Sequence, residues 1–327
     1  MFRIDVLQQD GFDIVRLSDG GWQQEEITVD IVPSHGALLH AFSVPYGSNG
    51  RINVIDSYRD ATDLQQHFTE SFKGVKLSPF ACRIPDGKYA WGGKEWQIQR
   101  AAVPGVCLHG LLYNAVFKMV DHYVGESEAA VTLLYAYEGD DVGYPFAYDC
   151  KVVYRLLADR MLEIKTTVFN KAEVTIPVMD GWHPYFTTGS LVDELELQFP
   201  SEALVVFNEQ MVPSGELIPY QEFTTLKKIG ALSLDNSFII DRQASEKTVC
   251  VLNDPKRGVR IDIWPDESYP ILQLYIPPHR QSIAIENLSG APNAFNNGMG
   301  VVEVRPGEQA DFATRVQVNA IWGDFGV

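Results

Sequence analysis

The segment MLEIKTTVFN at 161–170 puts Leu162, Ile164, Thr166 and Val168 on one side of an extended chain and Glu163 and Lys165 on the other. Period two marks a strand with one buried face, because successive side chains of a pleated strand point to opposite faces. The pattern recurs along the chain, and this recurrence restricts the fold more than any other feature. AAVTLLYAYEG (129–139) is rich in residues that suit a pleated surface. DCKVVYRLLADRM (149–161) reads as a strand that turns at Ala158-Asp159-Arg160. GVRIDIWPDE (258–267) sets Val259, Ile261 and Ile263 against Arg260 and Asp262. YPILQLYIPP (269–278) and QSIAIENL (281–288) are two more strands, joined through Pro277-Pro278-His279-Arg280. VVEVRPGEQADFATRVQV (301–318) reads as strand, Pro-Gly turn, strand, and GKYAWGGKEWQI (87–98) as a hairpin about Gly92-Gly93. GGWQ (20–23) and PSGE (213–216) are expected to be turns. Helical periodicity is scarce: ATDLQQHF (61–68) supports a turn or two, and 215–230 is ambiguous. Repeats, low-complexity runs and long linkers are absent from the sequence. The expected fold is all-β, a large antiparallel β-sandwich, with 1–327 as one domain.

Charge narrows the partners. Lys and Arg total 26 against 43 Asp and Glu, a formal net charge of −17. That disfavours nucleic acid and anionic membrane surfaces, both of which call for a basic face. A small neutral substrate is compatible with it. Cys82, Cys107, Cys150 and Cys250 form no CxxC pair and no zinc spacing with histidine, so four reduced thiols are expected. The first twenty residues lack a signal-peptide pattern, and no apolar run approaches the ~20 residues of a membrane span. The expectation is a soluble, cytoplasmic protein. Neither glycine pair completes a phosphate-binding loop, and no G-x-S-x-G nucleophile elbow occurs.

Five polar residues stand in apolar or aromatic settings. Arg83 lies in ACRIPDGKY just before a turn, where a surface arginine is equally natural. His109 in VCLHGLLY reads as a strand-end histidine or a site residue. His183 in GWHPYF is either packed in a core or a proton donor against an apolar wall. Asp235 in SLDNSFII also suits a turn or cap. Glu286 closes the apolar run SIAIE, where a carboxylate needs a partner or a raised pKa.

In these contexts and in this order, the five residues resemble the aldose 1-epimerases, also called galactose mutarotases. The resemblance runs from about Val6 to Val318. It is carried by SPFACRIPDGKY, CLHG, VGYPFAYDCKVVYRL, HPYF, DNSF, IENLSGAPNAFN and RPGE, seven weak motifs in sequence order. The chain departs from the family beside these residues: Leu111-Leu112 follow His-Gly, Gly181-Trp182 precede the second histidine, and Asn287 follows the glutamate. The resemblance implies a galactose mutarotase-like supersandwich that interconverts the α and β anomers of a free aldose such as glucose or galactose. It implies Glu286 as base, His183 as acid, and Arg83, His109 and Asp235 as substrate-binding residues, with no metal or other cofactor. On that mechanism His183 is expected to be protonated and Glu286 ionised in the free protein. Trp182 or Phe186 is a candidate platform for the sugar, with a core role as the equal alternative, and a monomer or homodimer is expected.

Four other readings compete. A sugar-binding module on the same fold would not need Glu286. A hexose-6-phosphate 1-epimerase would need a basic cluster, for which Lys227-Lys228 and Lys256-Arg257 are the candidates, both read as solvated loops. A glycoside hydrolase would use Asp235 and Glu286 as paired carboxylates. A metal site of His109, His183 and Glu286 has no tight ligand spacing in the sequence to support it.

Overall fold

The structure is a computed structural model that describes residues 1–20, 26–47, 50–242 and 250–320. The GGWQ turn expected at 20–23 lies outside the described residues from Gly21 onward. The period-two segments are strands: Glu128–Tyr137, Tyr148–Leu157, Met161–Asn170, Val259–Pro265, Ile271–Tyr275, Ile283–Leu288 and Gln309–Ala320. Met161–Asn170 buries Leu162, Ile164, Thr166 and Val168, as its alternation requires. The turn at 158–160 is tight, with Asp159 and Arg160 both at positive φ. The 87–98 segment forms the expected hairpin of Lys88–Trp91 and Lys94–Gln97.

Three large antiparallel sheets result, of five, nine and eight strands. The eight-stranded sheet runs Pro213–Pro219, Ser201–Phe207, Asp235–Ile240, Ile271–Tyr275, Ile283–Leu288, Gly181–Trp182 and Lys76–Leu77, with Tyr185–Phe186 also pairing to Ile283–Leu288. One of its faces packs towards the nine-stranded sheet. Asn287 Nδ2 donates to Thr314 Oγ1 across that layer (2.9 Å), and the rings of Tyr269 and Phe312 meet 5.8 Å apart. The four cysteines are buried and free. Among the described residues, no helix is long and apolar enough to cross a membrane.

Two expectations fail locally. PSGE is not a turn but the start of strand Pro213–Pro219, which pairs with Ser201–Phe207 at the sheet edge. Proline is tolerated at the first position of an edge strand, where its missing N–H breaks no ladder. The chain reverses earlier, at Asn208–Met211, where the Asn208 side chain accepts from Gln210 N and Met211 takes a φ of 58°. Lys227–Lys228 is a two-residue strand rather than a loop, though both side chains are exposed. The 61–68 helix is longer than expected, running Ala61–Ser71, because Asp60 caps its first turn and Phe72 closes it in the left-handed region.

Candidate active site

Strand register assembles one cavity on the other face of the eight-stranded sheet. Gln273 is directly opposite both Ser237 and Glu286, which makes one cross-strand row. Asp235 is opposite Tyr275, Tyr275 opposite Ala284, and Ala284 opposite Tyr185, which makes the next row. Alternation therefore separates Glu286 from Asn287: the glutamate faces the cavity, and the asparagine faces the neighbouring sheet. The cavity, of about 270 Å³, is lined by all five sequence-predicted residues, Arg83, His109, His183, Asp235 and Glu286.

The two histidines arrive on connecting segments that the backbone fixes. His183 follows Gly181–Trp182, its carbonyl accepting from Gly74 N (2.8 Å). His109 N donates to Cys82 O (2.7 Å), and Arg83 bridges to Leu108, so the Arg83 and His109 segments are tied together. Asn293 N donates to Arg83 O, which brings in the segment after Glu286. His109 and Cys82 both have positive φ, at 61° and 52°, a conformation that L side chains seldom adopt. Gly110 must be glycine: its φ is 80°, and a Cβ there would lie 2.3 Å from Ser78 O. This gives the His-Gly pair a steric reason.

His183 Nε2 lies 3.6 Å from Glu286 Oε1, and both side chains are almost fully buried. The rings of His109 and His183 meet edge to face at 4.8 Å. Tyr185 stacks flat on His183, with centroids 5.1 Å apart and planes 10° apart. Glu286 Oε2, His183 Nδ1 and His109 Nδ1 have no protein hydrogen-bond partner. Gln273 Nε2 donates to Asp235 Oδ1 (3.0 Å), and its Oε1 meets Ser237 Oγ (2.5 Å).

Burial works against the protonation expected from the sequence. It lowers the His183 imidazole to about 4 and raises the Glu286 carboxyl well above its usual range, with the Asp235 charge adding to the rise. His109 is pushed well down chiefly by burial, with the Arg83 charge adding to the fall. Desolvation thus pushes both groups of the free pair towards their uncharged forms, imidazole and carboxylic acid. Asp235 is raised by desolvation of a carboxyl that faces the cavity, and Arg83 opposes that rise.

Other residues of the site were not evident in the sequence. Gln273 is a buried amide in the apolar run ILQLY, and that misplaced polarity was the available signal. Phe72, Tyr185, Phe207 and Tyr275 supply the aromatic lining, not Trp182 or Phe186. Those two are core residues, on the opposite face of the chain from their neighbours His183 and Tyr185. Trp182 packs under Lys76, whose ammonium is 4.8 Å from the ring and 2.5 Å from Asp180 Oδ2. Tyr269 OH donates to the same carboxylate oxygen (2.6 Å). This fully buried cluster fixes the strand that leads into His183. The sequence spacing did not suggest a metal site, but the ligand atoms of His109, His183 and Glu286 lie within 4.8 Å of one another.

The sequence model of the aldose 1-epimerase family matches residues 22–317. The uncharacterized protein YihR of Escherichia coli K12 is 29% identical over 243 residues, covering 72% of this chain and 75% of that protein. Among solved structures, a galactose mutarotase-like protein from Clostridium acetobutylicum superposes with a TM-score of 0.82 at 14% identity, covering 98% of this chain and 99% of that one. The galactose 1-epimerase of Lactobacillus acidophilus superposes with a TM-score of 0.78 at 16% identity, covering 98% of this chain and 99% of that one. At these identities the structural matches establish the fold.

Proposed function

Because the chain belongs to the aldose 1-epimerase family, we propose that it interconverts the α and β anomers of a free aldose by acid/base ring opening. The observation that carries the proposal is the buried His183–Glu286 pair, 3.6 Å apart at the base of a cavity also lined by Arg83, His109, Asp235 and Gln273. The cavity draws on residues from Thr69 to Pro292, which supports reading the chain as one domain.

Ring opening removes the C1 hydroxyl proton and delivers one to the ring oxygen as the C1–O5 bond breaks. Glu286 carboxylate takes the first and His183 imidazolium gives the second. The neutral pair of the free protein carries the same single proton as that ionic pair, and the two forms differ only in its position. The C1 hydroxyl donating to Glu286 and the Arg83 charge nearby favour the carboxylate once sugar is bound. After opening, Glu286 is protonated and His183 neutral, as in the free site, so the resting pair is also set to receive the open-chain aldehyde. Rotation about C1–C2 presents the other carbonyl face, and reversal of both transfers closes the ring. Arg83, His109 and Asp235, with Gln273 holding Asp235, orient the hydroxyls. Tyr185, flat against His183, keeps water from the imidazole.

The substrate we favour is not phosphorylated. Arg83 is the sole lysine or arginine lining this cavity among the described residues, and neither Lys227-Lys228 nor Lys256-Arg257 reaches it. Polarimetry on freshly dissolved α-D-glucose and α-D-galactose tests the proposal, with Glu286→Gln beside the wild type and hexose 6-phosphates as a second panel. Acceleration by wild type alone supports it. No acceleration of any free aldose by a folded, sugar-binding protein leaves a binding protein instead. The grouping of His109, His183 and Glu286 also allows a metal centre. Dialysis against a chelator leaves the rate unchanged on the acid/base reading and abolishes it on the metal reading.

A further inference from the structure

We propose that the cavity continues into an outer subsite for a second sugar ring, joined to the aldose on its C5–C6 side, so that reducing 1→6-linked disaccharides are substrates. The placement of the anomeric carbon rests on the function proposed above; the substrate class goes beyond it.

A second cavity, of about 390 Å³, shares four lining residues with the first: Glu70, Ser71, Tyr185 and Tyr275. The register explains the passage between them. Tyr275, Ala284 and Tyr185 lie side by side in one cross-strand row, so a methyl group stands between two phenol rings. Those rings meet edge to face with centroids 6.4 Å apart. The direction follows from His183. Its Nε2 faces Glu286, and its ring face is covered by Tyr185. With the imidazole serving the ring oxygen, C1 lies towards Glu286. The other carbon bonded to that oxygen, C5 with its C6, lies towards Tyr185 and the outer cavity.

The outer cavity suits a neutral saccharide. One side is Tyr185, Tyr275, Pro277 and Pro278, apolar surface for the C–H face of a pyranose. The other side carries hydrogen-bonding groups whose charges are already matched. Lys73 Nζ is 2.8 Å from Asp56, Arg59 is 2.9 Å from Asp63, and His67 is 3.2 Å from Glu70. Among the described residues Lys73 is the sole lysine or arginine lining this cavity, and its partner is an aspartate. A phosphate dianion would find no uncommitted cation there, whereas hydroxyl groups can share donors and acceptors without unpairing a charge.

The test is kcat/KM for reducing-end anomerisation, read by exchange NMR of the anomeric protons, for glucose and for 1→6- and 1→4-linked diglucose. The expected result is that the 1→6 disaccharide matches or exceeds glucose and that the 1→4 disaccharide is roughly tenfold worse or more. His279→Trp places an indole at the exposed rim of the outer cavity. It should lower the ratio of the 1→6 disaccharide to glucose by roughly tenfold. Lys73→Ala serves as a second variant, expected to move the same ratio in the same direction. If glucose is anomerised while the 1→6 disaccharide is rejected, or while both variants leave the ratio unmoved, the subsite is refuted and the mutarotase proposal stands. If no sugar is anomerised, both fall.

Discussion

Acidifying the protein through the range in which His183 takes up a proton exposes the electrostatics of the site. Burial holds that imidazole at about 4, against an ordinary value of 6.5, and raises Glu286 well above the normal carboxylate range. The working pair carries one proton. Its activity therefore falls below the lower titration, where a second proton binds, and above the upper one, where the last is lost. With the lower titration at about 4, kcat/KM at pH 5 retains roughly nine-tenths of its plateau and at pH 3 roughly one-tenth. With ordinary values for both groups the acid edge would be that of the carboxylate, at about 4.3, and the pair would lose its proton at about 6.5, so activity at pH 8 would already be down roughly thirtyfold. The assay is background-corrected polarimetry from about pH 3 to 9, with near-UV circular dichroism at each pH to confirm the fold. Asp235→Asn removes a like charge beside Glu286, so the upper edge should move to lower pH while the acid edge holds. An alkaline edge near the ordinary histidine value of about 6.5, in protein that remains folded, would refute the claim that burial favours neutral His183 and protonated Glu286.

Three further outcomes follow from the packing. Lys76→Met leaves Asp180 buried with Tyr269 alone, which should cost about 3–5 kcal/mol in urea unfolding, whereas Lys76→Met with Asp180→Leu should recover most of it. Gly110→Ala forces a Cβ against Ser78 O at positive φ; it should cost about 2 kcal/mol or more in stability and also lower kcat/KM through His109. Gln273→Ala frees Asp235 from its hydrogen bond, and roughly tenfold of kcat/KM should be lost, mainly as a higher KM.

The strands were most legible where side chains report their face every second residue, as in Tyr148–Leu157 and Met161–Asn170, whereas Ile283–Leu288 is buried on both faces and shows only as an apolar run. The five polar residues were legible as misfits, most clearly Glu286 at the end of an apolar run. Their convergence was not, since it depends on register: nothing local to Asp235, Gln273 or Glu286 says that they occupy adjacent rows. Protonation was misread for a related reason. A sequence names the acid and the base, but desolvation belongs to the folded site, and here it is the largest influence on both groups. Trp182 and Phe186, readable from sequence as either sugar platform or core, are core, one residue away from His183 and Tyr185, of which the latter supplies the wall. In a strand, that one-residue step separates cavity from core. The outer cavity had no sequence signal, because it is formed by the 63–73 segment meeting Pro277-Pro278-His279.

The measurement that bears most directly on the account is α-to-β exchange of glucose at equilibrium, followed by NMR of the anomeric protons for wild type, Glu286→Gln and His183→Asn. The account predicts enzyme-dependent exchange in wild type, reduced roughly 10²–10⁴-fold in each folded variant. Full exchange in either variant, or none above the spontaneous rate in wild type for any free aldose, would contradict it.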